Sequence, residues 1–346
     1  MRLTKLYVQD FRQFTQATWE LADDLNVIVG ANGAGKTTIL EACYLLATAK
    51  SFRAGKTGEM LRFGQEVARV YGLLDDGLRL GMTLTGGMVG GRRASVKSYT
   101  LDKAKKRQRD FVGHFLATCF RPEDLRLIEG SSSRRRSYLD MPLLLTSDVY
   151  RQAHQNYQAV LLRRNKTLLG IKNQELPVST VEFYNQQLCQ YGQILTSLRQ
   201  EYVDFLNQEV VFVRPLKMIY QPNLATMERV QAHLTAEIAV GHSLVGPHKD
   251  NFQVQAKLGG QEVSLATYGS RGQQRLAVLW LKLGELAYLE HITAQKPVLL
   301  LDDIFSELDE QAQMLALTQM GKQQTLLTTT DENVVKLVGE VKIIKL

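Results

Sequence analysis

At 346 residues, 45% hydrophobic and 22% charged, the chain has length for about two domains and is too apolar to be disordered. Its formal net charge of +7 favours an anionic partner, while the three cysteines, Cys43, Cys119 and Cys189, are too scattered for a zinc site and read as reduced, buried thiols. No run approaches a membrane span and the first residues enter a strand pattern directly, so a soluble, cytoplasmic protein is expected.

Alternating segments at Leu3 to Val8 and Ala17 to Leu21 predict two strands. Between them, Arg12 either lies over a nucleotide or occupies a solvated turn. The apolar run Leu25-Asn26-Val27-Ile28-Val29 predicts a buried strand, and Thr38-Ile39-Leu40-Glu41-Ala42 a helix. They flank Gly30-Ala31-Asn32-Gly33-Ala34-Gly35-Lys36-Thr37, and strand, glycine loop and helix together are the setting of a phosphate-binding loop. Gly30, Asn32, Gly33, Gly35 and Thr38 belong to a backbone cradle for phosphate oxygens, closed by the positive end of the helix. Lys36 is placed to reach the outer phosphates, and the Thr37 hydroxyl to ligate magnesium. A chance glycine turn is the alternative, but the loop matches at every required position.

Residues 67–74 and 78–84, joined by Asp75-Asp76-Gly77, predict a hairpin in an antiparallel sheet beside this loop. The most charged stretch follows: Arg92, Arg93, Lys97, Lys103, Lys105, Lys106, Arg107 and Arg109 face a single acid, Asp102. With glycines before it, this stretch reads as an extended basic flap that contacts a nucleic-acid backbone, or else as a solvated loop. A second cluster is Arg134-Arg135-Arg136. Residues 147–213 predict two long antiparallel helices forming an arm. In the second, Val181, Tyr184, Leu188, Tyr191, Leu195, Leu198, Tyr202 and Phe205 alternate at spacings of three and four, and Ser179 with Glu182 reads as its capping box. Past a strand from Phe252, Gly269-Ser270-Arg271-Gly272-Gln273-Gln274-Arg275 opens an amphipathic helix. Pro297 to Asp303 reads as a buried strand ending in two acids. In a chain with a phosphate loop these are the expected magnesium partner, Asp302, and the residue that polarises an attacking water, Asp303.

The phosphate loop, the late G-S-R-G-Q, the strand ending in Asp302-Asp303 and Ser306-Glu307-Leu308-Asp309 resemble the ATP-binding-cassette heads of SMC-class DNA-repair ATPases. The likeness is closer to the RecF family of bacterial recombination mediators. Phe120 to Leu125, Arg134 to Asp140, Gly246-Pro247-His248-Lys249-Asp250 and Leu299 to Asp309 match that family's motifs in order and spacing. The resemblance covers almost the whole chain, specifically in the head and weakly in the arm. It implies an α/β fold: a P-loop head of this type from residues 1–125 and 240–346, with an antiparallel β subdomain, and a helical arm inserted at 126–239. It also implies a nucleotide site completed by a second copy. Ser270 and Gly272, with Gln273, would contact the terminal phosphate held by the other copy's Lys36 and Thr37, Asp309 would sit at the seam, and Arg12 would touch nucleotide. The lid glutamine is not placed, Gln65 being a candidate, and residues 328–330 with Asp331 stand where a switch histidine is usual. His248 and Asp250 match a motif of underived chemistry.

The reading is a weak ATPase using ATP and Mg2+, with Lys36 and Asp303 as catalytic residues. By resemblance it dimerises on duplex, junction or single-stranded DNA and works with RecR, and with RecO and RecA in the same pathway. Another SMC-like repair ATPase is an alternative within this class. A transporter's cassette subunit predicts a compact head without the long arm, and a phosphotransferase would not need the Ser270 motif.

Overall fold

In the computed structural model, residues 1–210, 215–306, 313, 314, 316, 318, 320–331 and 341–346 are described. In chain order the elements are β1 (Leu3–Phe11), β2 (Phe14–Glu20), β3 (Leu25–Val29), α1 (Lys36–Thr48), β4 (Val67–Leu74), β5 (Arg79–Thr85), β6 (Met88–Val89), β7 (Arg92–Arg93), β8 (Lys97–Leu101), β9 (Ala104–Lys106), α2 (Gln108–Phe111) and β10 (Ala117–Phe120). Then come α3 (Arg126–Glu129), α4 (Ser132–Thr146), α5 (Asp148–Lys172), α6 (Glu182–Glu209), β11 (Leu216–Gln221), α7 (Met227–Val240), β12 (Asn251–Leu258), β13 (Gln261–Ser264), α8 (Leu265–Tyr268) and α9 (Arg271–Thr293). β14 (Val298–Asp302), β15 (Thr325–Thr329) and β16 (Lys342–Lys345) close the chain.

The chain divides into two compact units, 1–124 with 281–346, and 125–280. In the first, a six-stranded antiparallel sheet (β2-β1-β4-β5-β8-β9) and a five-stranded parallel sheet (β10-β14-β15-β3-β16) share one core with α1. α1 is apolar nearly all round because both sheets bury it, whereas β1 alternates because only one face of its sheet is covered. β3, β14 and β15 are continuous apolar runs, as parallel strands buried on both faces must be. Side by side in the order β14-β15-β3, they bring their C-terminal ends together.

The expected boundary near residue 240 differs from the observed one at 280. β12 pairs with β11, and β13 with β12, so this small sheet belongs with the helices instead of the head sheets. Asp250, fully buried, ties the segment down: it accepts Arg199 Nη1 at 2.7 Å, the Asn223 N–H at 2.6 Å and the Tyr220 hydroxyl. Arg199 also reaches Asp140 and the Pro247 carbonyl.

The second unit holds the expected arm as α5 packed on α6. Two details differ. Ser179 lies in a short 3-10 turn (Val178–Val181) and does not cap α6. The seam of α6 also drifts by one residue: Leu188, Leu195 and Tyr202 are buried as expected, but Asn185, Gly192, Arg199 and Leu206 are buried beside them while Tyr184, Tyr191, Leu198 and Phe205 are only half covered. Buried polar partners decide this, since Asn185 Oδ1 accepts Arg164 Nε at 2.9 Å and Arg199 holds Asp140 and Asp250. The basic stretch, expected as a flap, is instead built into strands β7, β8 and β9.

Candidate nucleotide-binding site

The glycine loop, Asp302 and Thr328 meet outside the C-terminal ends of β3, β14 and β15, the crevice where open parallel sheets place ligands. The loop turns through positive φ at Gly33 and Gly35. At Gly35 an added Cβ would lie 2.3 Å from Gln13 Nε2 and 2.6 Å from Phe14 Cζ, so space as well as handedness demands glycine. Gly35 is also the N-cap of α1, and having no side chain to fold over the helix it presents the positive helix end to an anion.

Lys36 is 7% exposed, and its Nζ donates to the Gly30 carbonyl at 2.7 Å and the Ala31 carbonyl at 3.0 Å. The ammonium is thus already folded over the loop. Thr37 Oγ1 donates to Asp302 Oδ1 at 2.8 Å, and Thr328 Oγ1 donates to the same oxygen at 2.8 Å. Burial raises the pKa of Asp302, and the bonds from Thr328 and Thr37 oppose that rise. Asp303 follows in left-handed backbone, φ 50°, its N–H shared between Thr328 Oγ1 at 3.0 Å and the Thr328 carbonyl at 3.2 Å. Non-glycine residues held at positive φ are costly and gather at functional sites.

These residues line a cleft of about 210 Å3. Of the predicted set it brings together Asn32, Gly33, Gly35, Lys36, Thr37, Thr38, Asp302 and Asp303, with Gly30 behind them as an acceptor for Lys36. Two further residues join them, Gln13 and Arg53. Gln13 accepts from Thr38 Oγ1 at 3.1 Å and so braces the first turn of α1. Its position beside Phe11-Arg12 was a usable signal, but that pattern selects the arginine. Arg12 is instead committed elsewhere: Nε and Nη2 clamp Glu41 at 2.9 and 2.6 Å, and Nη1 reaches the Glu59 carbonyl at 2.6 Å. Glu41 is fully buried, and a buried carboxylate requires such a partner.

Magnesium is commonly held by one or two carboxylates together with substrate phosphates and water. The Thr37 hydroxyl next to the Asp302 carboxylate fits that donor set. Among the described residues no group of three metal-type side chains offers a protein-only cage.

Ser270, Gly272 and Gln273 lie in the second unit, at the start of α9. The Ser270 N–H donates to Gln273 Oε1 at 2.8 Å and the Gln273 N–H to Ser270 Oγ at 3.3 Å, a reciprocal capping box that fixes the loop. Ser270 stays exposed at the N-terminus of a 23-residue helix. Glu307, Leu308 and Asp309 lie outside the described residues. Gln65 is exposed in a turn whose N–H meets the Arg62 carbonyl. Residues 246–250 acquire a structural role. His248 Nε2 faces the Ser243 carbonyl at 3.1 Å and so carries the proton, leaving Nδ1 to accept the Tyr157 hydroxyl at 2.7 Å. Burial lowers the pKa of this imidazole to about 4.

Of the basic set, Arg92, Arg93, Lys103, Lys105, Lys106, Arg107 and Arg109 are exposed. Lys97 is turned inward, its Nζ on the Ala49 carbonyl at 2.8 Å, and burial with Lys50 nearby lowers its pKa. Arg135 and Arg136 pin α4 to Asn251 and to the Asp250 carbonyl.

The RecF/RecN/SMC N-terminal domain family matches residues 2–345. DNA replication and repair protein RecF of Staphylococcus carnosus is 32% identical over 95% of this chain and 93% of its own. Its namesake in Macrococcus caseolyticus is 31% identical with the same coverage. A solved structure of the recombination mediator protein RecF-ATPrS in the RecFOR pathway superposes with a TM-score of 0.87 at 29% identity, covering 100% of this chain and 96% of that one. An SMC head bound to the C-terminal winged-helix domain of ScpA shares the fold at a TM-score of 0.51 and 15% identity, covering 99% of this chain and 93% of that one.

Proposed function

The chain belongs to the RecF/RecN/SMC N-terminal domain family, alongside its RecF relatives, and from that membership we propose that it is an ATP-dependent DNA-binding protein of recombinational repair and replication restart. The observation that carries the ATP part is the bond from Thr37 to Asp302 beside Lys36, which joins loop, helix and acidic strand into one phosphate cleft.

In this reading Lys36 exchanges its carbonyl partners for the outer phosphate oxygens of ATP. The N-terminus of α1 and the N–H groups of the loop take the remaining charge. Thr37 and Asp302 hold Mg2+, which when bound neutralises charge on the phosphates. Asp303 orients and accepts a proton from the attacking water, so ATP hydrolysis is slow and acts as a switch.

The cleft supplies half of the contacts such a reaction needs. Ser270, Gly272 and Gln273 of a second copy complete it, the exposed start of α9 presenting its positive end to the terminal phosphate. ATP thereby joins two copies on duplex, junction or single-stranded DNA. The exposed cations from Arg92 to Arg109 contact the phosphate backbone, and the partners are RecR, with RecO and RecA in the same pathway.

Lys36→Ala is expected to abolish ATP binding in equilibrium titration and, with it, any ATP dependence of DNA binding measured with ATP, ADP and no nucleotide. ATP-dependent DNA binding that survives in Lys36→Ala would overturn this reading.

A further inference from the structure

The face of the six-stranded sheet turned away from α1 carries a second hollow, of about 640 Å3, bordered by Tyr7, Tyr71, Lys5, Arg79 and Lys103. Strand alternation sets it apart from the core: Leu6, Val8, Val70 and Met82 point inward, so Lys5, Tyr7, Tyr71 and Gly81 point out. One row runs straight across four strands, with Tyr7 opposite Tyr71, Tyr71 opposite Gly81 and Gly81 opposite Thr100.

The row is built for flat rings. A Cβ at Gly81 would lie 2.9 Å from Cδ1 and Cε1 of Tyr71 and 2.3 Å from Thr100 Oγ1, so Gly81 makes the space in which the Tyr71 ring lies across the sheet. Tyr7 sits beside it with ring centroids 5.8 Å apart, and Tyr71 remains 38% exposed.

Cations frame the two rings. Lys5, Arg79 and Lys103 border the hollow, Arg69 stands opposite Gln9 one row away, and Lys105 stands opposite Thr100. The acids nearby are Glu20, 3.5 Å from Lys5, and Asp102, which accepts the Arg79 N–H. Aromatic faces within a surplus of cations suit a ligand with flat apolar rings on a polyanionic chain. In a duplex the bases are paired and stacked within the helix; in a single strand they are free to stack on side chains.

We infer that this open face binds single-stranded DNA, with unpaired bases on Tyr7 and Tyr71 and phosphates on Lys5, Arg79 and Lys103. The inference rests on the DNA-binding reading above and assigns it a site apart from the phosphate cleft.

The test is fluorescence anisotropy of the full-length protein with labelled oligo(dT) and, separately, a labelled blunt duplex. The double variant Tyr7→Ala, Tyr71→Ala is expected to bind oligo(dT) at least about tenfold more weakly. Its duplex binding and ATP binding should be unchanged, and Tyr71→Phe, which keeps the ring, should behave as wild type. Lys103→Glu, at an exposed turn, should weaken oligo(dT) binding and flatten its salt dependence by about one unit of slope. Unchanged oligo(dT) affinity in the double variant and in Lys103→Glu would overturn the site while leaving duplex recognition standing. Equal losses on both substrates would overturn the single-strand assignment. A wild-type protein that binds neither DNA would overturn the broader reading and this site with it.

Discussion

Thr37 and Asp302 lie 265 positions apart in the chain, yet their side chains share a hydrogen bond because the glycine loop and the acidic strand end at the same edge of one parallel sheet. Both residues were legible in the sequence, since each sits in a local pattern of strand, loop and charge. Thr328 was legible only as part of a threonine run. Its role, holding Asp302 Oδ1 and the Asp303 N–H together, depends on β15 lying between β14 and β3, and strand order leaves no trace in a single sequence. Arg12 shows the opposite failure: its charge suggested a nucleotide contact, but the buried Glu41 two elements away claims it. At this scale Asp303→Asn separates chemistry from binding. It is expected to bind ATP normally while steady-state hydrolysis falls by about 100-fold or more, the contribution of a lost general base. Hydrolysis at the wild-type rate would remove Asp303 from that role.

The helical arm was legible as two antiparallel helices, because apolar residues at heptad spacing line up along one face only when the chain is helical. Its seam was not, because Asn185 and Arg199 are polar by composition and buried only through partners distant in sequence. The same holds for Arg164, fully buried on α5, whose guanidinium meets Glu237 Oε2 of α7 at 2.6 Å, Ser243 Oγ at 2.7 Å and Asn185 Oδ1 at 2.9 Å. Glu237→Gln leaves that guanidinium charge uncompensated, and a loss of about 3 kcal/mol is expected, read from the urea midpoint at constant slope. A shift near zero would show that the pair does not hold α5 to α7. On the antiparallel sheet, Lys105, Lys106 and Arg107 are exposed along β9 and the entry to α2. Replacing all three by alanine is expected to lower the slope of log K against log salt for duplex DNA by about 2.7 if each neutralises one phosphate. An unchanged slope would exclude them from the duplex contact.

For the molecule as a whole, the α/β class and the phosphate site could be read from motifs, because each motif is contiguous. The division into units could not, because β12 can pair with β11 as readily as with a head strand until Asp250 and Arg199 lock it in place. That division puts Lys36 in one unit and Ser270 in the other, each with a rigid local frame: the loop folded around Lys36, and the Ser270–Gln273 capping box. No helix among the described residues is long and apolar enough to cross a membrane, so nothing there calls for a transporter's partner domain. The central claim is that the cleft is half a site, closed by Ser270 of a second copy when ATP is bound. Sedimentation velocity of the wild type and Ser270→Arg, each with ATP and Mg2+, tests it most directly. The wild type is expected to shift from monomer to dimer on adding ATP, while Ser270→Arg binds ATP with the same affinity and stays monomeric; a Ser270→Arg protein that dimerises like the wild type would contradict the composite site.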